Sequence, residues 1–103
     1  MDDKLVVIAR YLGKADAPYS IKVAVLKAVA RFLSGGSSEE AVKLSLAVLL
    51  RFAYDPNWWI ERHILRLLGF KVEYPPPRFS RPVVAEMTEE VKSLLKDAGV
   101  VSE

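Results

Sequence analysis

The chain of 103 residues contains no cysteine and no glutamine, one asparagine (Asn57) and one histidine (His63). Without cysteine there is no disulfide, no zinc–thiolate site and no thiol nucleophile. A single imidazole with no thiolate nearby is a poor metal site, so His63 reads as a surface or capping residue. Scarcity of the thermolabile side chains is one compositional mark of heat-adapted proteins. Basic and acidic residues nearly balance, 15 against 13. The formal net charge is +2, too small by itself to indicate a nucleic-acid partner. No uninterrupted apolar run is long enough for a membrane span, which needs roughly 20 residues. The longest, near residues 41–54, is broken by Lys43 and Arg51. The opening MDDKLVVIARYLGK is acidic and its apolar core is short, unlike a secretory leader. These features predict a single soluble domain of the cytoplasm, with no membrane partner.

Catalytic signatures are missing as well. Gly35-Gly36 is not followed by the Lys-Ser/Thr of a phosphate-binding loop. The acidic pairs Asp2-Asp3, Glu39-Glu40 and Glu89-Glu90 are adjacent, so on helices their side chains diverge instead of converging on a metal. They sit near predicted helix starts, where negative charge is favourable. Glu90-Val91-Lys92 has a nuclease-like spacing but no suitable preceding Asp. No residue is assigned to catalysis, to a cofactor, to a metal or to a small-molecule substrate, and the expectation is a non-enzymatic protein.

What is plentiful is apolar surface. Hydrophobic residues make up 51% of the chain and charged residues 27%. So small a protein has little interior in which to hide that share, which points to a dense core or to a surface apolar in places. Four helices are predicted before residue 70. The first covers about 3–13, with Leu5, Ile8 and Leu12 on one stripe. The second covers about 19–34, with Ile21, Val25, Ala28, Val29 and Phe32 as its apolar face. The third opens at SSEE, where Ser37 and Glu40 have capping-box spacing. The fourth has Asp55 as N-cap and Pro56 as its first residue, and ends at Gly69. The third helix is apolar around nearly its whole circumference, with Lys43, Ser45 and Arg51 as interruptions. That pattern predicts a buried central helix, whose cover a second subunit would complete.

After Gly69 the pattern changes. Phe70, Val72 and Tyr74 alternate with charges like a short strand, and PPPRFSRP is extended and incompatible with helix. The triple proline reads as a rigid connector, or alternatively as a ligand for an aromatic groove. Thr88 caps a final amphipathic helix with Val91, Leu94, Leu95 and Ala98 inward, and Gly99-Val100 closes it as a Schellman motif. The predicted fold is a small all-α bundle: a four-helix core over 1–69, an extended strap or short β-hairpin at 70–86, and a C-terminal helix at 88–99. Helix, short strand, turn, second strand at 82–86 and helix is also an order that overlaps with winged-helix architecture. The overlap lacks a basic recognition helix.

The segment DPNWWIERHILRLLGF holds the chain's two tryptophans. Adjacent helical residues point about 100° apart, so Trp58 is expected at the core's edge. Trp59 is expected with Arg62, His63 and Arg66 on a polar stripe, and Phe70 lies roughly in line. Charge is uneven along the chain. Residues 51–81 carry six Lys/Arg against three Asp/Glu, and residues 82–103 carry two against five. Arg78, Phe79 and Arg81 repeat the basic–aromatic mixture. Arg10, Arg31, Arg51 and Arg66 each close a predicted helix, where a cation complements the macrodipole. Their spacings of 21, 20 and 15 residues are too uneven for a repeat array.

Trp59 has three fates: stacking under the chain's own proline segment, a protein interface rich in Trp and Arg, or a nucleic-acid surface with Arg on phosphates and Trp under a base. The expectation is a protein-interaction module that self-associates or joins a larger complex, contacting its partner through Trp59, Arg62, His63, Arg66, Phe70, Arg78, Phe79 and Arg81. The alternative is a nucleic-acid-binding protein that uses the same residues.

Overall fold

The computed structural model describes residues 3–51, 55–73 and 87–100. Among them the protein is all-helical: α1 (Asp3–Gly13), α2 (Tyr19–Leu33), α3 (Glu39–Leu50), α4 (Asp55–Leu67) and α5 (Glu89–Asp97). No described residue is in a strand. Phe70 to Glu73 are irregular, so the strand expected to begin at Phe70 does not start there, and the rest of the proposed hairpin, residues 74–86, lies outside the described residues.

Helices α1 to α4 pack in a closed ring, each against the next and α4 back against α1, while α5 lies across α1 and α2. The shared core is built from Ile8 and Leu12 of α1, Val25, Leu26 and Val29 of α2, Val42, Leu46 and Leu49 of α3, Ile60 and Ile64 of α4, and Val91 and Leu94 of α5. Three- and four-residue steps relate the members of each set, with Leu26 beside Val25 widening the face of α2.

The most enclosed helix is not the one expected. α1 and α2 each touch three helices, and α3 touches only α2 and α4. Leu44 is 70% exposed, and Glu40, Lys43, Ala47 and Arg51 are exposed with it. α3 is therefore a corner of the ring. Its all-round hydrophobicity does not translate into all-round burial, because burial is set by how many neighbours a helix has. On α1, by contrast, Ala9 and Tyr11 are buried beside the expected Leu5, Ile8 and Leu12.

Local signals are followed closely at most helix ends. Ser38, not Ser37, caps α3, and the Ala41 amide donates to its hydroxyl at 3.2 Å. That register leaves Glu40 one position short of the capping-box site. Thr88 caps α5 in the same way, accepting from the Val91 amide at 3.2 Å. α4 begins at Asp55; the capping roles read for Asp55 and Pro56 fall on side chains outside the description. Gly99 (φ 76°) closes α5, with Val100 N–H donating to the Leu95 carbonyl at 2.9 Å and Gly99 N–H to that of Lys96 at 3.0 Å, the expected Schellman pair. Gly69 (φ 81°) ends α4 with the same two bonds, from Phe70 to Leu65 and from Gly69 to Arg66. That turn brings Phe70 back onto the core.

Gly13 acts by size. A Cβ there would stand 2.8 Å from Cγ2 of Val91, so its missing side chain lets α5 approach α1. Two polar contacts fix α5 further. Lys22, with a side chain 6% exposed, pairs with Glu90 at 3.0 Å, and the Tyr19 hydroxyl donates to Asp97. That hydrogen bond raises the Tyr19 phenol to about 12, with burial and the charges of Asp97 and Glu90 adding to it.

Candidate interaction surface

The first turn of α4 starts with a residue that faces inward. Asn57 is fully buried. Its Oδ1 accepts from the Asp16 amide at 2.8 Å, and its Nδ2 donates to the Asp16 carbonyl at 3.1 Å and to the Leu49 carbonyl at 3.3 Å. The side chain thus satisfies the loop between α1 and α2 and one of the four carbonyls that the end of α3 would leave unpaired. With Asn57, Ile60 and Ile64 in the core, the positions between them are half-buried.

Trp58 and Trp59 are both half-buried. Their Cα–Cβ bonds diverge as helical geometry requires, yet the long indoles meet edge to face, with ring centroids 4.3 Å apart at 78°. The cation over an indole is Arg62, and the indole is that of Trp58, with the guanidinium carbon 3.6 Å from the ring centroid. The expected grouping placed Arg62 beside Trp59. One full turn separates Arg62 from Trp58, and that i,i+4 relation brings them together. Arg62 also donates to the Trp58 carbonyl at 3.3 Å and pairs with Glu61 at 3.1 Å. Its side chain is 14% exposed and that of Glu61 15%. Burial raises the Glu61 carboxyl pKa, against the lowering effect of Arg62.

His63 lies flat on Tyr11 of α1, ring centroids 5.4 Å apart and planes within 8°. Burial pushes the His63 pKa down, and the nearby Arg66 charge pushes it the same way. Burial raises the Tyr11 phenol pKa. Phe70 packs edge to face on Phe32 of α2 at 4.9 Å, with Lys43 of α3 6.0 Å from its ring centroid. Arg66 is exposed. The structure therefore gathers Arg62, His63 and Phe70 into contacts within the bundle and leaves the edge of Trp59 and the head of Arg66 outward. Arg78, Phe79 and Arg81 lie outside the described residues.

A second surface was not singled out from the sequence. Glu40, Leu44, Ala47 and Arg51 follow one another along α3 at steps of four, three and four, and all four are exposed. The signal was present as that spacing, masked by the apolar residues on the helix's other sides. Among the described residues no group of three or more His, Asp or Glu is placed to hold a metal. No helix among them is long and apolar enough to cross a membrane. No family model, no curated protein and no solved structure matches this chain.

Proposed function

We propose that the protein is a non-enzymatic helical interaction module, working through protein–protein contact by self-association or as a subunit of a larger complex. The observation that carries this reading is the outer face of α3. A helix packed against only two neighbours presents a leucine that is 70% exposed, next to an exposed alanine. Leu44 and Ala47 are the apolar element that such a contact would bury. Trp59 and Arg66 extend the candidate surface onto α4. Engagement of Arg62 with Trp58 and Glu61 removes one of the four arginines that phosphate binding would use, so the protein-contact reading is preferred.

Sedimentation velocity over a wide concentration range, repeated at low and high salt, tests it. The expected result is a concentration-dependent species larger than the monomer that persists in high salt. A parallel titration with a single-stranded oligonucleotide, followed by tryptophan fluorescence, is expected to leave the spectrum unchanged. A fluorescence change that fades steeply with salt would indicate phosphate contacts instead.

A further inference from the structure

The exposed stripe of α3 has an internal symmetry. Glu40, Leu44, Ala47 and Arg51 occupy the alternating four- and three-residue steps of a heptad seam. Their order is self-complementary about the point midway between Ser45 and Leu46: an acid at one end, a base at the other, one large and one small apolar residue between. Resting on the self-association reading above, we propose that two copies of the protein pair through α3, antiparallel, about a two-fold axis crossing the helix at that midpoint.

The pairing follows from geometry. In an antiparallel two-fold pair each seam residue shares a layer with the position equally far on the other side of the midpoint. Leu44 then meets Ala47 of the second copy and Ala47 meets its Leu44, so a large side chain faces a small one in both central layers. Glu40 meets Arg51 of the second copy, and Arg51 its Glu40. The parallel alternative would set Glu40 on Glu40 and Arg51 on Arg51, two like-charge layers in one short seam, and so is disfavoured. The antiparallel arrangement also sets each Glu40, in the first turn of its helix, near the negative end of the partner helix's dipole, and each exposed Arg51 near its positive end. That small opposing field falls on the two charge pairs at the exposed ends of the seam, where solvent screens it, and weakens them without reversing their sign. Lys43 and Val48 flank the seam. Lys43 is already drawn toward Glu39 at 3.3 Å and the Phe70 ring, which keeps its charge off the central layers.

Size sets the expected strength. Twelve residues of helix span about 18 Å. One such pair buries less than the roughly 1,200 Å² of a standard stable interface. The dimer is therefore expected to be weak and transient.

The test is sedimentation equilibrium on the full chain, from micromolar to millimolar protein, for wild type, Glu40→Arg, Arg51→Glu, the double exchange and Leu44→Asp, with far-UV circular dichroism confirming that each is folded. Either single exchange turns two attractive layers into two repulsive ones and is expected to weaken dimerisation by on the order of tenfold. Leu44→Asp is expected to weaken it at least as much. Mixing the two single variants, or combining the exchanges in one chain, is expected to restore wild-type association. That recovery separates pairing from stability. The double variant carries both unfavourable charges at the ends of α3, so an effect acting only through helix stability would make it the worst of the set. A parallel seam keeps like charges in both end layers of every charge variant, so exchanges that leave association unchanged while Leu44→Asp weakens it would overturn the antiparallel pairing. A wild-type dimer indifferent to all four variants would overturn the α3 seam and leave self-association standing on another surface. A wild-type chain monomeric to about 1 mM would overturn both the seam and self-association.

Discussion

Asn57 joins backbone from separate segments of the chain. Its amide serves three main-chain groups in two other segments. Truncation leaves buried donors and acceptors unpaired, and each such loss is expensive. Asn57→Ala is expected to lower stability by about 2–4 kcal/mol in chemical denaturation. Asn57→Asp, which keeps the shape and loses both N–H donors, should lose at least as much at neutral pH. The sequence showed only that this asparagine is unique. Its partner Asp16 is 41 residues away and contributes main-chain atoms, which no side-chain pattern displays.

His63 supplies a second residue-scale prediction. Its folded pKa lies below the ordinary 6.5, so the unfolded chain binds the proton more readily. The stability tied to its neutral form is complete above pH 6.5 or so and is lost as pH falls through 6.5 toward the lower folded value. Glu61, whose pKa is raised, acts in the opposite sense at lower pH. The measurement is therefore the difference between wild type and His63→Phe, in which contributions common to both cancel. That difference is expected to shift against wild type between pH 7.5 and 5.5.

At the scale of elements, two contacts fix α5 and give separable expectations. Gly13→Ala improves helix propensity by about 1 kcal/mol but drives a methyl into Val91, and overpacking costs about 1–3 kcal/mol. A net loss is expected. In the Gly13→Ala/Val91→Ala double variant the clash disappears, so the two losses should fall short of adding by about 1 kcal/mol in a double-mutant cycle. The Lys22–Glu90 pair predicts an asymmetry. Removing Glu90, whose side chain is 43% exposed, strands a buried ammonium, whereas Lys22→Met removes that charge and leaves Glu90 in water. Thermal denaturation should show Glu90→Ala more damaging than Lys22→Met. Helix ends were legible because caps and glycine turns are local: Thr88 and the Gly99-Val100 ending were read correctly. The core face of α2 was less so. Lys22 shares a side with Val25, Leu26 and Val29, and a lysine within an apolar stripe is read as surface until its counter-ion, on a helix far along the chain, is seen.

For the whole molecule, helix number and class were evident from periodicity and punctuation, and the arrangement was not. The central position assigned to α3 is shared by α1 and α2, because hydrophobicity around a wheel does not say how many helices surround it. The stripe expected to meet a partner was legible as a composition, but Arg62, His63 and Phe70 are engaged by Trp58, Tyr11 and Phe32. That engagement is a tertiary fact. Native-state hydrogen exchange is expected to reflect the ring, with the slowest amides in α1 and faster ones in α3. The amide bracket at position 57 has one last consequence. It ties the turn after the first helix, the end of the third and the start of the fourth to a single side chain, so none of the three can loosen while the others hold. Melting should therefore proceed in one step, with ring-sensitive and backbone-sensitive spectroscopies tracing the same curve.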